Sequence, residues 1–446
     1  MRKETSMLRW VYMVFLVTIP ILVTGQLAEL PEEKPLRTFQ LSVFPGLGTD
    51  GTSAVHHQYK ISLNLFGGLT GGIAGLEVAG FANLTRGTIR GAQAAGFCNL
   101  VWGDVEGFNA AGYMNIVHGY SQGFNAAGFL NVVSGRMEGF QAAGFANVVT
   151  GSAEGFQGAG FANVATGGMD GFQGAGFANV VEGHMEGFQG AGFANVVTGN
   201  ANGFRGAGFA NVVGGDADGF QGAGFANIAG GDVQGPSIAG FANVARDVRG
   251  IQLSGFVNIA RKVNGLQLGF LNIADTVSGL PIGFLSLVRK GGYHQIEVSG
   301  SDALHTGASL RIGVARFYNI FSFGMRPFQT ERIGGFGYGI GTSMALSHQT
   351  ALEVEAHSTN LHEANQWLSN EGERLSELRL NFTAGRSSRL NLFAGPVLYH
   401  HRYFTKTGTE HTAADLAPYT LAERQNGDYT SKWWIGARGG LRISLH

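Results

Sequence analysis

The chain has 446 residues, room for about two or three domains, and a net charge of −1 that argues against nucleic acid as a partner. Glycine, at 73 residues, is about twice its usual share, and the 14% of charged residues is sparse for a soluble surface of this size. The single cysteine, Cys98, excludes an internal disulfide and reads as a small buried hydrophobe.

Residues 1–25 have the form of a secretory signal peptide. Arg2, Lys3 and Arg9 supply the positive region, residues 10–23 the apolar run, and Val23-Thr-Gly25 the small residues before a cut at Gln26. That run is shorter than the ~20 residues a membrane-spanning helix needs. Residues 26–36, with Glu29, Pro31, Glu32, Glu33 and Pro35, read as a tether. Residues 37–67 hold two alternating stretches, 39–43 and 59–65, predicted as strands that join a barrel formed by the end of the chain.

From residue 68 to 290 the chain is a tandem repeat, typified by Gly187-Phe-Gln-Gly-Ala-Gly-Phe-Ala-Asn-Val-Val-Thr-Gly. Its opening glycine recurs every 16 residues from Gly75 to Gly235, then at Gly250, Gly265 and Gly279. So short and glycine-rich a unit excludes helix pairs. A parallel winding places each residue over its own copy at about 4.8 Å, where asparagine ladders and aromatic stacks are favourable. The expectation is therefore a parallel β-solenoid of about 14 coils of 14–16 residues, roughly 65 Å long. The expected ladder is Asn83, Asn99, Asn115, Asn131, Asn147, Asn163, Asn179, Asn195, Asn211, Asn227, Asn243, Asn258 and Asn272, with Ser286 in the last copy. A parallel aromatic column runs from Phe81 to Phe284. Which columns face inward is left open by apolar residues at both parities.

Glu138, Glu154, Asp170 and Glu186 share one column of consecutive coils. Like charges at that spacing repel by about 1 kcal/mol per pair in water. A solvated edge that resists aggregation is the favoured reading, and a bound divalent cation the alternative. The glutamine column (Gln141, Gln157, Gln173, Gln189, broken by Arg205) reads as a ladder, or, if exposed, as a glycan contact.

After Gly291 the repeat ends, and residues 291–446 alternate apolar with charged or small residues in stretches of about ten. Short turns alternate with longer polar loops, the pattern of a transmembrane β-barrel. The fold class expected is thus all-β: the solenoid joined to an antiparallel outer-membrane-type barrel of 8–10 strands. An even count puts both barrel ends, and the rod, on the periplasmic side.

The stretch Gly265-Leu-Gln-Leu-Gly-Phe-Leu-Asn-Ile-Ala-Asp-Thr-Val-Ser-Gly-Leu-Pro-Ile-Gly-Phe-Leu-Ser-Leu-Val288 resembles a poorly characterised family of Gram-negative surface-repeat proteins. His294-Gln-Ile-Glu-Val-Ser299, Arg316-Phe-Tyr-Asn319 and Gly335-Phe-Gly-Tyr-Gly-Ile-Gly-Thr342 resemble it too. The resemblance implies an outer-membrane or surface location and carries no activity. The Leu445-His446 end departs from the aromatic terminus common in such barrels.

Arg311, Glu353, Glu355, Glu377, Arg379, Arg438 and Arg442 fall on the face expected to line the barrel, where opposite charges neutralise each other in a packed lumen. The one G-x-S-x-G string, Gly119-Tyr-Ser-Gln-Gly123, belongs to a repeat unit and is no nucleophile elbow, no H-E-x-x-H stretch occurs, and His400-His401 near the outer loops is a tempting pair. No cofactor is implied. The expected function is non-enzymatic: an envelope scaffold held by outer-membrane lipid, binding or spacing an envelope protein or glycan. A small-solute channel and a barrel hydrolase are the alternatives.

Overall fold

The structure is a computed structural model that describes residues 34–327, 333–363, 373–385, 389–404 and 416–445. The expected signal peptide and most of the tether lie outside the described residues. The chain is nearly all β, a solenoid of about 14 turns followed by a closed eight-stranded antiparallel barrel.

Each regular coil is a seven-residue strand and a four-residue strand, such as Met185–Ala191 and Ala194–Val197. Both pair in parallel and in register with the copies before and after, so that Gly187 lies over Gly171 and under Gly203. From Gly91 to Gly265 the glycine that opens the coil adopts positive φ (111° at Gly187), and its Cβ position would collide with the carbonyl of the glycine one coil back. Any other residue there is strained and blocked, which explains why this column never varies.

Inside the rod, alternation selects four columns. Met185, Gln189, Asn195 and Val197 are buried, while Glu186 is exposed and Phe188 and Val196 are half-buried outside. One side of the interior is apolar, built by residues such as Val101, Val133, Met137, Met169, Met185 and Val213. The other side is two columns of amides, one of asparagine and one mostly of glutamine.

The two N-terminal strands correct the sequence expectation. Leu36–Phe44 pairs in parallel with Gln58–Asn64, which pairs in parallel with Gly72–Ala79. They extend the solenoid rather than entering the barrel. Their alternation was legible; the partner was not, because period-2 patterning fits a rod coil as well as a barrel strand.

The barrel uses strands Gln295–Ser301, Thr306–Val314, Phe317–Arg326, Ile333–Ala345, Thr350–Glu363, Glu373–Ala384, Leu390–Phe404 and Tyr429–Ser444. The first and last close it, Gln295 opposite Ser444 and Ser301 opposite Arg438. Ala422–Asn426 adds a short hairpin to the last strand. The chain enters beside the C-terminal end, where the Leu445 amide donates to the His294 carbonyl, and this is also the end of the short turns. The outer face exposes Val298, Phe336, Met344, Phe382, Leu392 and Ile443.

Candidate functional site

Three surfaces could carry function: the rod's outer columns, its acidic edge and the barrel lumen.

The asparagine ladder is buried inside the rod. Each Nδ2 donates to the Oδ1 of the next asparagine at 2.9–3.0 Å from Asn83 to Asn272, and to a carbonyl of the next coil at 2.7–2.9 Å. Asn64, which sequence reasoning missed, opens the ladder at 3.1 Å, and Ser286 closes it at 3.4 Å. The glutamine column is buried as well, with Gln157 donating to Gln141 at 3.0 Å and Gln189 to Gln173 at 2.9 Å, so it offers nothing to a glycan.

Arg205 breaks that column. It is fully buried; its Nη2 donates to the Asp218 carbonyl at 3.1 Å, and Nε and Nη1 have no hydrogen-bond partner among the described residues. Burial pushes the guanidinium down to about 10. Near the start of the rod Glu77 occupies the same column, buried, accepting from Gln93 at 2.8 Å and Thr85 at 3.0 Å. Burial raises its carboxyl above the usual range, against the pull of its hydrogen-bond donors.

Outside, two aromatic columns run along the rod. Fourteen rings from Phe81 to Phe284 stack at 4.8–5.6 Å. A second set of eight, Phe108 to Phe220, stacks at 4.6–5.1 Å. Between the two columns, a groove of about 570 Å³ is floored by Ala94, Ala110, Ala126, Ala142 and the small residues that follow each. Rings stacked face to face along the axis present their edges outward, so they form ribs rather than flat platforms for sugars.

The acidic column lies on the outside in register, Glu138 half-buried and Glu154, Asp170 and Glu186 exposed. Arg136 bridges its first two members, at 2.9 Å to Glu138 and 2.6 Å to Glu154. Farther on, Arg246, Arg261 and Arg289 pair with Asp232, Asp247 and Asp275 at 2.6–2.8 Å. Among the described residues no cluster of three His, Cys, Asp or Glu could hold a metal ion.

The lumen brings all seven expected charges together. Arg311 contacts Glu355 at 2.7 Å and Glu353 at 3.3 Å; Arg442 contacts Glu353 at 2.6 Å. Arg379 pairs with Glu377 and lies 3.8 Å from Glu355, and Arg438 lies 3.6 Å from Glu355. Glu297, missed from the sequence, is the hub: Arg311 and Arg438 reach it at 2.5 Å, Arg442 at 2.8 Å. Four carboxylates thus face four guanidiniums. Phe393 lies among them, 3.9 Å from the Arg442 guanidinium. Toward the long-loop end Leu361, Leu375, Leu416 and Trp434 fill the lumen.

One arrangement there has no linear signature. Ser322 Oγ lies 2.7 Å from His357 Nε2, and His357 Nδ1 lies 3.0 Å from Glu377 Oε2. The three residues sit on three strands, so only strand register unites them. His400 and His401 point to opposite faces: His400 stacks on Trp433 outside, and His401 is buried 3.2 Å from Glu373.

Comparison with protein-family models, curated proteins and solved structures found no match to this chain.

Proposed function

We propose that this protein is an envelope scaffold: a filled barrel seated in outer-membrane lipid, holding a rigid rod on the periplasmic side. The observation that carries the reading is the barrel's inversion, with a charge-balanced lumen inside and exposed Val298, Phe336, Phe382, Leu392 and Ile443 outside. A soluble barrel would have no reason to bury four ion pairs and leave its large apolar side chains in water. In bacterial barrels short turns are periplasmic, and the rod joins at that end. A lumen packed with side chains argues against a channel. The ribbed apolar groove favours a protein partner with complementary ribs over a glycan, because the ring faces are occupied by one another.

The test is accessibility of an epitope inserted at residues 199–202. Detection only after the outer membrane is permeabilised is the expected result. Detection on intact cells would move the rod to the surface, and recovery in the soluble fraction would sink the membrane reading.

A further inference from the structure

We propose that the barrel lumen holds a serine hydrolase centre, with Ser322 as nucleophile, His357 as base and Glu377 as its orienting carboxylate, acting on short-chain carboxylic esters. This stands apart from the scaffold reading and runs against the expectation of a non-enzymatic chain.

The geometry is that of an activated hydroxyl. Glu377 Oε2 lies 3.0 Å from His357 Nδ1 and accepts from the Arg379 guanidinium, whose Nη2 also lies 2.9 Å from Nδ1. In the tautomer this proposal uses, Nδ1–H points at Glu377 and Nε2 accepts the Ser322 proton at 2.7 Å. His357 and Glu377 are buried, whereas Ser322 is half-buried. The imidazole fits because its neighbours across the strand are Gly337 and Gly339, where any Cβ would collide with the ring. Space also remains beside the serine. Ser299 and Gly307 keep part of their surface, and a methyl added at Gly307 would meet nothing closer than 3.4 Å. Glycine and serine at these positions leave room for no more than an acetyl-sized acyl group. Leu304, packed over Gly324 one lumen position beyond Ser322, restricts entry.

In the reaction, Ser322 Oγ attacks the ester carbonyl as its proton passes to His357 Nε2. The carbon–oxygen bond to the alcohol breaks, and His357 returns the proton to the leaving oxygen. Water, deprotonated by His357, then cleaves the acyl-serine to a carboxylic acid and restores the hydroxyl.

The full chain, folded in detergent, is treated with a fluorophosphonate, which loses fluoride to a serine nucleophile, and is assayed with p-nitrophenyl acetate. The expected result is a phosphonate adduct on Ser322, with hydrolysis abolished in Ser322→Ala and His357→Gln. Glu377→Gln should slow labelling at least tenfold, and Leu304→Ala should speed it. Circular dichroism confirms that each variant keeps its β content. An unlabelled Ser322 in the folded wild type overturns the proposal. So does labelling unchanged by His357→Gln, or ester hydrolysis unchanged by Ser322→Ala.

Discussion

Asn319 Nδ2 donates to the carbonyl of Gly283 at 2.8 Å, a bond from the barrel's outer wall to the last coil of the rod. The same amide reaches the Tyr338 hydroxyl at 2.7 Å, and Phe284 stacks on Tyr338 at 5.2 Å. The rod's aromatic column therefore continues onto the barrel, and the amide nitrogen of a polar residue on an otherwise apolar wall is paired with the domain that covers it.

Replacing Asn319 with alanine leaves that carbonyl unpaired, at a cost of about 1–3 kcal/mol to the junction. Exposed Arg289 and Lys290 lie in the connector. Tryptic cleavage there should quicken by about tenfold, since each ~1.4 kcal/mol is a factor of ten. An unchanged rate would mean that the junction is held elsewhere.

Asn179→Ala removes the acceptor of Asn163, the donor to Asn195 and the partner of the Gly190 carbonyl. Each orphaned buried group costs about 1–3 kcal/mol. Because a coil touches only its neighbours, the break should divide unfolding into two blocks. Urea denaturation followed by circular dichroism should show two transitions where the wild type shows one.

Arg205→Gln should stabilise the rod by about 1–3 kcal/mol, because it removes a buried guanidinium whose Nε and Nη1 lack a hydrogen-bond partner among the described residues. The strand opposite is broken between Asp218 and Gln221, and glutamine at 205 should restore the seven-residue pairing seen in other coils. A lower urea midpoint in the variant would contradict this account.

Glu77 supplies the pH dependence. Its folded pKa is raised by burial, so protonated Glu77 is the form the fold prefers. Its stability contribution is complete below the unfolded value of about 4.3 and declines as pH rises through the folded value. Glu77→Gln should match the wild type at low pH and melt higher at neutral pH. Thermal scans of both proteins across pH 4 to 8 test this; parallel curves would rule it out.

The order of events along the chain was readable because each column repeats. Identical residues at a fixed spacing can only be stacked, so the parallel winding, the Asn83–Asn272 ladder and the Phe81–Phe284 stack followed from the period itself. The lumen charges were readable for a similar reason: Glu353, Glu355, Arg438 and Arg442 hold one parity in strands whose other face is apolar. Glu297 was missed because its strand is short: Gln295-Ile-Glu-Val-Ser299 alternates over only five residues before Gly300.

Alternation and period are properties of one strand, and they determined what each strand shows to its two sides. Which strand lies beside which is decided by register between distant segments, and no local pattern carries it. That is why the N-terminal pair went to the rod and not the barrel, and why Ser322, His357 and Glu377 met only in the closed barrel.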